Sequence, residues 1–580
     1  MTGSQASAEL TPIFQSFAKA NPGNFPTDLH VGLMSFDQMF QSDLASTLHL
    51  LLGAVFVLLL IACVNVSSLM LARAVRREHD AVVRMAVGAT PMRLARSALI
   101  ESLVLALAAI PFALAFAWIG LQATLRIVPV ETIPDEAVVT LNVPVLLISL
   151  GIALLTVVLF GLAPAWHSTR PRLSGVLNGV RTTGSRAERR ILSGFVITEI
   201  ALSLTLLMLA GLMVHSLMAV ERAPVGMEPD HTLLVSVPLD KSHYSTMEGH
   251  NRFFREAMGK LATLPGVRSV TVDVGLYGLG AHIQVASRPI DQQRDFVLVH
   301  PADPQYLSIA KLVLRQGRFF EEPDIQSDLH NVVVTENLVK NYFSDKNVLG
   351  QTIHLPDLLA DHPEMKSDAF TIVGVIDNIP PFPGDDIERP QVLLPYSVGA
   401  LANTLVVSTS VPAESMEQPT RRTLASIDAE QPIAEMLTVR ELLDRYGYAG
   451  PRFTLTLFST FAAFALLLSV IGIYGVLSLL TSQRTREIGV RMALGASRAN
   501  VIWLVTRQAV VLSLCGIAAG LPLMFLAGRF AKQELFRTPQ FDPIVILAAM
   551  AVLPLLAVAG TWLPARRASR VDPVKALRAD

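Results

Sequence analysis

The chain is short of charge, of cysteine and of every sequence mark of soluble catalysis. Only 16% of its 580 residues are charged, while 51% are hydrophobic and the mean hydropathy is +0.47. An average soluble protein carries roughly 25% charged residues, so this composition points to a membrane-embedded chain and excludes a disordered one. Two cysteines, Cys63 and Cys515, each sit inside an apolar run. They exclude a disulfide scaffold and are expected to be small buried hydrophobes. With 47 basic and 48 acidic residues there is no basic field for nucleic acid. No GxxxxGK[ST] occurs, so the chain has no P-loop to cradle phosphates and no means of hydrolysing ATP by that route. HExxH, a Cys/His cluster and a GxSxG elbow are absent as well. His300, His330, His354 and His362 lack ligand-like spacing and are expected to be exposed structural histidines. Residues 1–46 are polar, without a basic stretch leading into an apolar one.

What the chain has instead is long apolar runs. Seven are long enough to cross about 30 Å of hydrocarbon: 47–72, 97–125, 143–166, 193–219, 454–480, 502–529 and 543–564. Arginine orients them. Arg73, Arg76, Arg77, Arg84, Arg93 and Arg96 follow the first run, and Arg170, Arg172, Arg181, Arg186, Arg189 and Arg190 follow the third. Arg484, Arg486, Arg491 and Arg498 follow the fifth, and a basic tail follows the seventh. The positive-inside rule then places these four segments inside, and residues 1–46 and the acidic stretch 221–453 outside. Polar residues within the runs carry a cost. Glu101, Glu199 and His215 are isolated, so helix–helix hydrogen bonding or snorkelling is favoured over a proton relay.

The chain also repeats itself. RREHDAVVRMAVGAT (76–90) matches QRTREIGVRMALGAS (483–497) at an offset of 407. Arg77, Asp80, Arg84, Ala86, Gly88 and Ala89 thereby meet Arg484, Glu487, Arg491, Ala493, Gly495 and Ala496. PAWHSTRPRLSGVL (164–177) matches PARRASRVDPVKAL (564–577). Both copies put the motif at the inner end of an outside-to-inside helix, so the repeats are parallel. The second unit has one more span and a large outside domain. The chain therefore reads as a duplication in which the first unit lacks its first span and most of its outside domain.

These residues, RTREIGVRMALGASRANVIWLV (484–505), PARRASRVDPVKALR (564–578) and FALLLSVIGIYGVLSLLTSQR (464–484), resemble the MacB/FtsX family of ABC-transporter permeases. The duplicated arrangement resembles the acidobacterial "duplicated orphan permease" branch, here N-terminally truncated. LPGVRSV (264–270), VLGQTI (348–353) and FTIVGVIDN (370–378) fit the resemblance too. It implies a polytopic α-helical membrane protein, about seven spans in two parallel FtsX-like repeats, with a large α+β periplasmic domain. The organisation expected is a remnant of a first periplasmic domain (1–46), a first permease unit (47–190), the first span of the second unit (191–220), a MacB-like periplasmic domain (221–453) and a second permease unit (454–580). It implies a non-enzymatic subunit of the bacterial cytoplasmic (inner) membrane, C-terminus inside, surrounded by lipid and without a cofactor or metal of its own. ATP is bound by a partner, a cytoplasmic ATP-binding subunit dimer that docks on the two repeated loops, 73–96 and 480–501. Motion passed to the periplasmic domain would drive export of peptide, drug or lipoprotein-type cargo, with a periplasmic adaptor, cargo or hydrolase as further partner. The alternatives are a permease-like regulator that activates a periplasmic enzyme, and a secondary transporter.

Within 221–453, strands are expected at 231–239, 266–274 and 370–376, and 331–343 reads as a strand into a helix. Helices are expected over 245–264, with Phe253, Phe254, Ala257, Met258, Leu261 and Leu264 on one face, over 419–432 and over 438–446. PPFPGDD (380–386) reads as an exposed loop.

Overall fold

A computed structural model describes residues 3–20, 36–76, 83, 87, 90–128, 140–168, 186–240, 242–275, 278–285, 295–326, 330–343, 347–361, 365, 367–385, 387–483, 485–494 and 497–569. The chain divides into two compact units. One comprises Met1–Phe36 and Ala219–Ala449, the other Asp37–Met218 and Gly450–Asp580. The longer helices in chain order are α1 (Gly3–Ala20), α2 (Phe36–Arg76), α3 (Pro91–Leu125), α4 (Val143–Ser168), α5 (Arg186–Glu221), α6 (Met247–Ala262), α7 (Glu417–Ala425), α8 (Ala449–Gln483), α9 (Thr485–Ala493), α10 (Arg498–Ala531) and α11 (Pro543–Ala568).

Among the described residues, six helices are long and apolar enough to cross a membrane. They are Thr47–Leu71 in α2, Leu103–Leu125 in α3, Arg189–Glu221 in α5, Ala449–Ser482 in α8, Arg498–Glu534 through α10 and Pro543–Arg567 in α11. The span expected at 143–166 is α4, whose described apolar stretch, Val143–Leu155, is shorter than the six. Leu192, Val196, Ile200, Leu204, Met208 and Leu212 of α5 are buried in the core of the helical unit. There α10 comes close because Gly516 and Gly520 carry no side chain. A Cβ at Gly516 would stand 2.7 Å from Ile200 Cβ, and one at Gly520 would stand 2.9 Å from Ala201 Cα. Small residues four apart permit this backbone approach between membrane helices. The equivalent positions of the first repeat, Ala109 and Ala113, are exposed on α3. Phe112, Phe116 and Trp118 of α3, and Trp503, Phe525 and Phe530 of α10, are exposed as well, as expected of faces solvated by lipid rather than water. Cys63 is buried as expected, but Cys515 is exposed, because its helix turns that position away from the α5 contact made by Gly516.

The second unit is built on two sheets. A four-stranded antiparallel sheet has the order β12-β1-β11-β2, with β1 at Thr232–Ser236, β2 at Val267–Asp273, β11 at Thr404–Thr409 and β12 at Glu435–Thr438. The larger sheet is mixed and follows β3-β5-β10-β7-β9-β8-β4, with β6 also on β9. Its strands are β3 (Leu279–His282), β4 (Gln284–Val285), β5 (Phe296–Ala302), β6 (Leu314–Gly317), β7 (Asn331–Thr335), β8 (Thr352–His354), β9 (Ala369–Ile376) and β10 (Gln391–Pro395). The expected strands correspond to β1, β2, β7 and β9. α6 buries Phe253, Phe254, Ala257 and Leu261 as its apolar periodicity demands, with Met258 and Leu264 at the margin of the same core. The 438–446 helix is a turn of α-helix, Val439–Leu442, entered through a Thr438/Glu441 capping box and continued by a wider turn over Leu443–Gly447.

The 380–385 loop is irregular, but it is not simply exposed. Pro383 is buried, and Phe382 lies 3.5 Å from where a Cβ of Gly447 would be. Four apolar side chains in five residues find partners even without regular structure.

Candidate functional site

The repeated segments have matching local geometry in both copies. The N–H of Val87 donates to the carbonyl of Val83 at 3.1 Å, and that of Leu494 to Val490 at 3.0 Å. Each copy thus closes a helical turn at the same place. Thr90 and Ser497 then start α3 and α10 with extended backbones (φ −76°, ψ 149° and φ −71°, ψ 156°). Only Ser497 adds a side-chain cap, accepting from the N–H of Asn500.

α9 carries Glu487 and Arg491 four apart, and Arg491 Nη2 donates to Glu487 Oε1 at 2.6 Å on the exposed face. Ala493 closes the helix, and Ile488 faces inward onto Val501. The apolar residues facing outward are the ones sequence reasoning passed over. Val490 and Leu494 are exposed, as are their equivalents Val83 and Val87, with Leu494 at 83% and Val87 at 85%. A comparison of exposed apolar positions at the offset of 407 would have found them. Of the expected coupling residues, Arg77, Asp80, Arg84, Ala86, Gly88, Ala89, Arg484, Gly495 and Ala496 lie outside the described residues.

The intramembrane polar residues pair across helices. Arg73 forms an ion pair with Glu101, joining α2 to α3, and His215 pairs with Asp542, the residue that caps α11. Ser216 Oγ accepts from the N–H of Phe536 at 3.0 Å. Glu199, 1% exposed, accepts from Asn65 Nδ2 at 2.5 Å. The expectation of helix–helix hydrogen bonding therefore holds for Glu199, and no chain of acids suited to a relay surrounds it among the described residues.

In the two-sheet unit, β2 and β5 meet through a polar seam. His300 is expected to be exposed, yet it is 3% exposed. It shares the β5 face of exposed Phe296 and half-buried Leu298, but at its end of the strand that face is covered by β2, and its Nδ1 stands 2.9 Å from Asp273 Oδ1. Tyr306 donates its hydroxyl to Asp273 Oδ2 at 3.1 Å, and burial with the Asp273 charge pushes its phenol well above the ordinary range. One step along, Thr271 donates to Asp303 Oδ1 at 2.5 Å, and the N–H of Gln305 donates to the same oxygen at 3.1 Å. Burial nevertheless pushes the Asp303 carboxyl up to about 6. Asp303 lines a cleft of about 430 Å³ with Arg255, Met258, Glu322, Ile325 and Tyr396. His330 stacks on Phe370 and His354 pairs with Asp368, both half-buried, while His362 lies outside the described residues. Among the described residues no group of His, Cys, Asp or Glu could hold a metal ion.

Comparison with known proteins accounts for most of the chain. The FtsX-like permease C-terminal model matches twice, at residues 52–172 and 459–573, and the MacB-like periplasmic core domain model matches residues 195–425. Macrolide export ATP-binding/permease protein MacB of Shewanella oneidensis is 28% identical over 327 residues, covering 55% of this chain and 47% of that protein. Macrolide export ATP-binding/permease protein MacB 1/2 of Paracoccus denitrificans is 30% identical over 289 residues, covering 47% of this chain and 41% of that protein. The chain thus spans about half the length of the curated relatives it matches. The crystal structure of the periplasmic region of MacB from Actinobacillus actinomycetemcomitans aligns at 16% identity with a TM-score of 0.27, covering 38% of this chain and 95% of that one. Two FtsX-like regions flanking one MacB-like periplasmic core domain make the chain a MacB/FtsX-like ABC permease.

Proposed function

We propose that the chain couples ATP hydrolysis by a separate cytoplasmic ATP-binding subunit to motion of its periplasmic domain, from the inner membrane, and so drives export of a peptide, drug or lipoprotein-type cargo. The observation that carries this reading is the matched pair of exposed apolar turns, Val83 with Val87 and Val490 with Leu494. Exposed apolar side chains beside basic residues are costly in water and favourable against a partner's groove. Finding them twice, at equivalent positions with equivalent backbone hydrogen bonds, suits a dimeric partner with two equivalent sockets. Arg84 and Arg491, with Arg77, Asp80, Arg484 and Glu487, supply oriented polar contacts at the rim of each contact. Gly88 and Gly495, flanked by Ala86, Ala89, Ala493 and Ala496, let the backbone come close.

Two substitutions test the reading together, Val87→Asp with Leu494→Asp. The double variant is expected to insert and fold as the parent does, because both side chains are solvent-facing. It is expected to lose co-purification with the ATP-binding subunit and to abolish stimulation of that subunit's ATPase. Undiminished co-purification and stimulation would reduce the repeated segment to a turn between spans.

A further inference from the structure

Residues 65 and 472 are equivalent positions of the two repeats, separated by the same 407, and the structure sets them against each other. The first copy has asparagine there and the second has glycine. Asn65 Nδ2 on α2 donates to Glu199 Oε1 on α5 at 2.5 Å and to the Leu468 carbonyl on α8 at 3.1 Å. Its Oδ1 is buried and accepts no hydrogen bond. A Cβ at Gly472 would collide with both the Glu199 carboxylate and that amide oxygen. The pattern recurs one turn on. Leu69 of α2 lies over Gly475 of α8, where a Cβ would stand 2.9 Å from Leu69 Cδ2. The first-copy equivalent of Gly475 is Ser68. On the preceding turn Ser203 of α5 and Ser469 of α8 bring their hydroxyls to 2.7 Å, and the first-copy equivalent of Ser469 is Ala62.

α2 therefore carries the pegs and α8 the sockets, although both descend from one sequence. Identical copies could not make this contact. Two asparagines would overfill the space beside Glu199, and two glycines would leave a buried carboxylate without its donor. We propose that Asn65, Glu199 and Gly472 form an asymmetric joint by which the two repeats of one chain pair with each other, so that a single copy supplies both halves of the membrane unit. Glu199 is a positioning residue in this joint. It ties α5, the helix that leads into the two-sheet domain, to both repeats at once, by a hydrogen bond to α2 and by contact with the bare backbone of α8.

The test uses the full chain in membranes, with Cys63→Ala and Cys515→Ala as background. Leu69→Cys with Gly475→Cys is oxidised in cells that express two differently tagged copies. The expected product is a crosslink within one chain, read as a mobility shift of the monomer band, with no dimer-sized band carrying both tags. Adding Glu199→Ala should lower the crosslink yield at least five-fold, whereas Glu199→Gln, which still accepts from Asn65, should stay within two-fold of the parent. A doubly tagged dimer, no crosslink, or indifference to Glu199→Ala would overturn the proposal. Native mass spectrometry of the unsubstituted chain gives an independent reading should the cysteine pair disturb insertion. One chain per particle is expected, and two would overturn the proposal. None of these outcomes depends on whether an ATP-binding subunit docks on the repeated turns.

Discussion

At the scale of single residues, two aspartates of the two-sheet domain respond to pH in opposite senses. Asp324 is buried and gripped from two sides. Arg318 donates Nη1 to Oδ2 at 2.6 Å and Nη2 to Oδ1 at 3.0 Å, and Asn331 and the Glu321 N–H add further bonds. The guanidinium is the main cause of a carboxyl held down at about 2. Its contribution is present above the unfolded value near 3.9 and is lost as pH falls through 2. Asp303 is the reverse case, raised to about 6 by burial. Folding favours its protonated form, so the domain loses stability as pH rises from about 4 to 6, and above that the loss is complete. Asp303→Asn keeps an acceptor for Thr271 and Gln305 while removing the charge. The variant is expected to be more stable at pH 7.5 by roughly 2 kcal/mol, with no gain near pH 4. A tenfold change in proton affinity corresponds to about 1.4 kcal/mol, part of which solvent screens. The calorimetric transition of the domain at the two pH values checks this. A gain independent of pH would show that charge burial is not the cause.

At the scale of elements, those with a strong period of their own were legible in the sequence. Phe253, Phe254, Ala257 and Leu261 mark α6 because one face of a 3.6-residue period must be buried. Phe254 is fully buried and meets Phe253 edge-on at 5.5 Å. Phe254→Ala should cost about 3–5 kcal/mol, seen as a lower transition temperature for the domain with the membrane helices unaffected. A change under about 1 kcal/mol would mean the helix repacks around the gap. β10 and β11, by contrast, are buried along nearly all their length. Short apolar runs buried on both faces carry no alternation to read. His300 escapes a local reading for a related reason. Its environment is set by Asp273, 27 residues earlier on a strand of the other sheet. Nothing local to His300 announces that partner. The same holds for Asn65 in the membrane unit, whose partner Glu199 is 134 residues away. The repeat was legible because identity at a fixed offset survives in sequence. The peg-and-socket difference at 65 and 472 is also written there, but its meaning appears only when the two positions face each other.

At the scale of the whole molecule, the charge distribution predicts which ends of the helices share a side. The Arg566 and Arg567 end of α11 and the Arg491 end of α9 both belong to the basic set, whereas 221–453 carries the acidic excess. A positively charged segment is held on the cytoplasmic side during insertion, and the bias acts through short flanking loops. The prediction is that the C-terminus lies inside and the two-sheet domain outside, as seven crossings counted with α4 would place them. The prediction is tested by single cysteines in the Cys63→Ala, Cys515→Ala background, since Cys515 is exposed on its helix and would otherwise react. Gly384 stands exposed in the domain with a left-handed backbone (φ 103°) and open space beside it, so Gly384→Cys accepts some local strain in exchange for access. Arg566 is exposed at the end of α11, whereas nearby Ser569 is buried and would label poorly from either side. An impermeant thiol reagent added to intact spheroplasts should modify Gly384→Cys and spare Arg566→Cys until the membrane is opened. The opposite pattern would invert the molecule. It would also remove the exposed turns at Val87 and Leu494 from the only compartment that holds ATP, so this labelling bears on the proposed coupling as directly as any substitution within the turns.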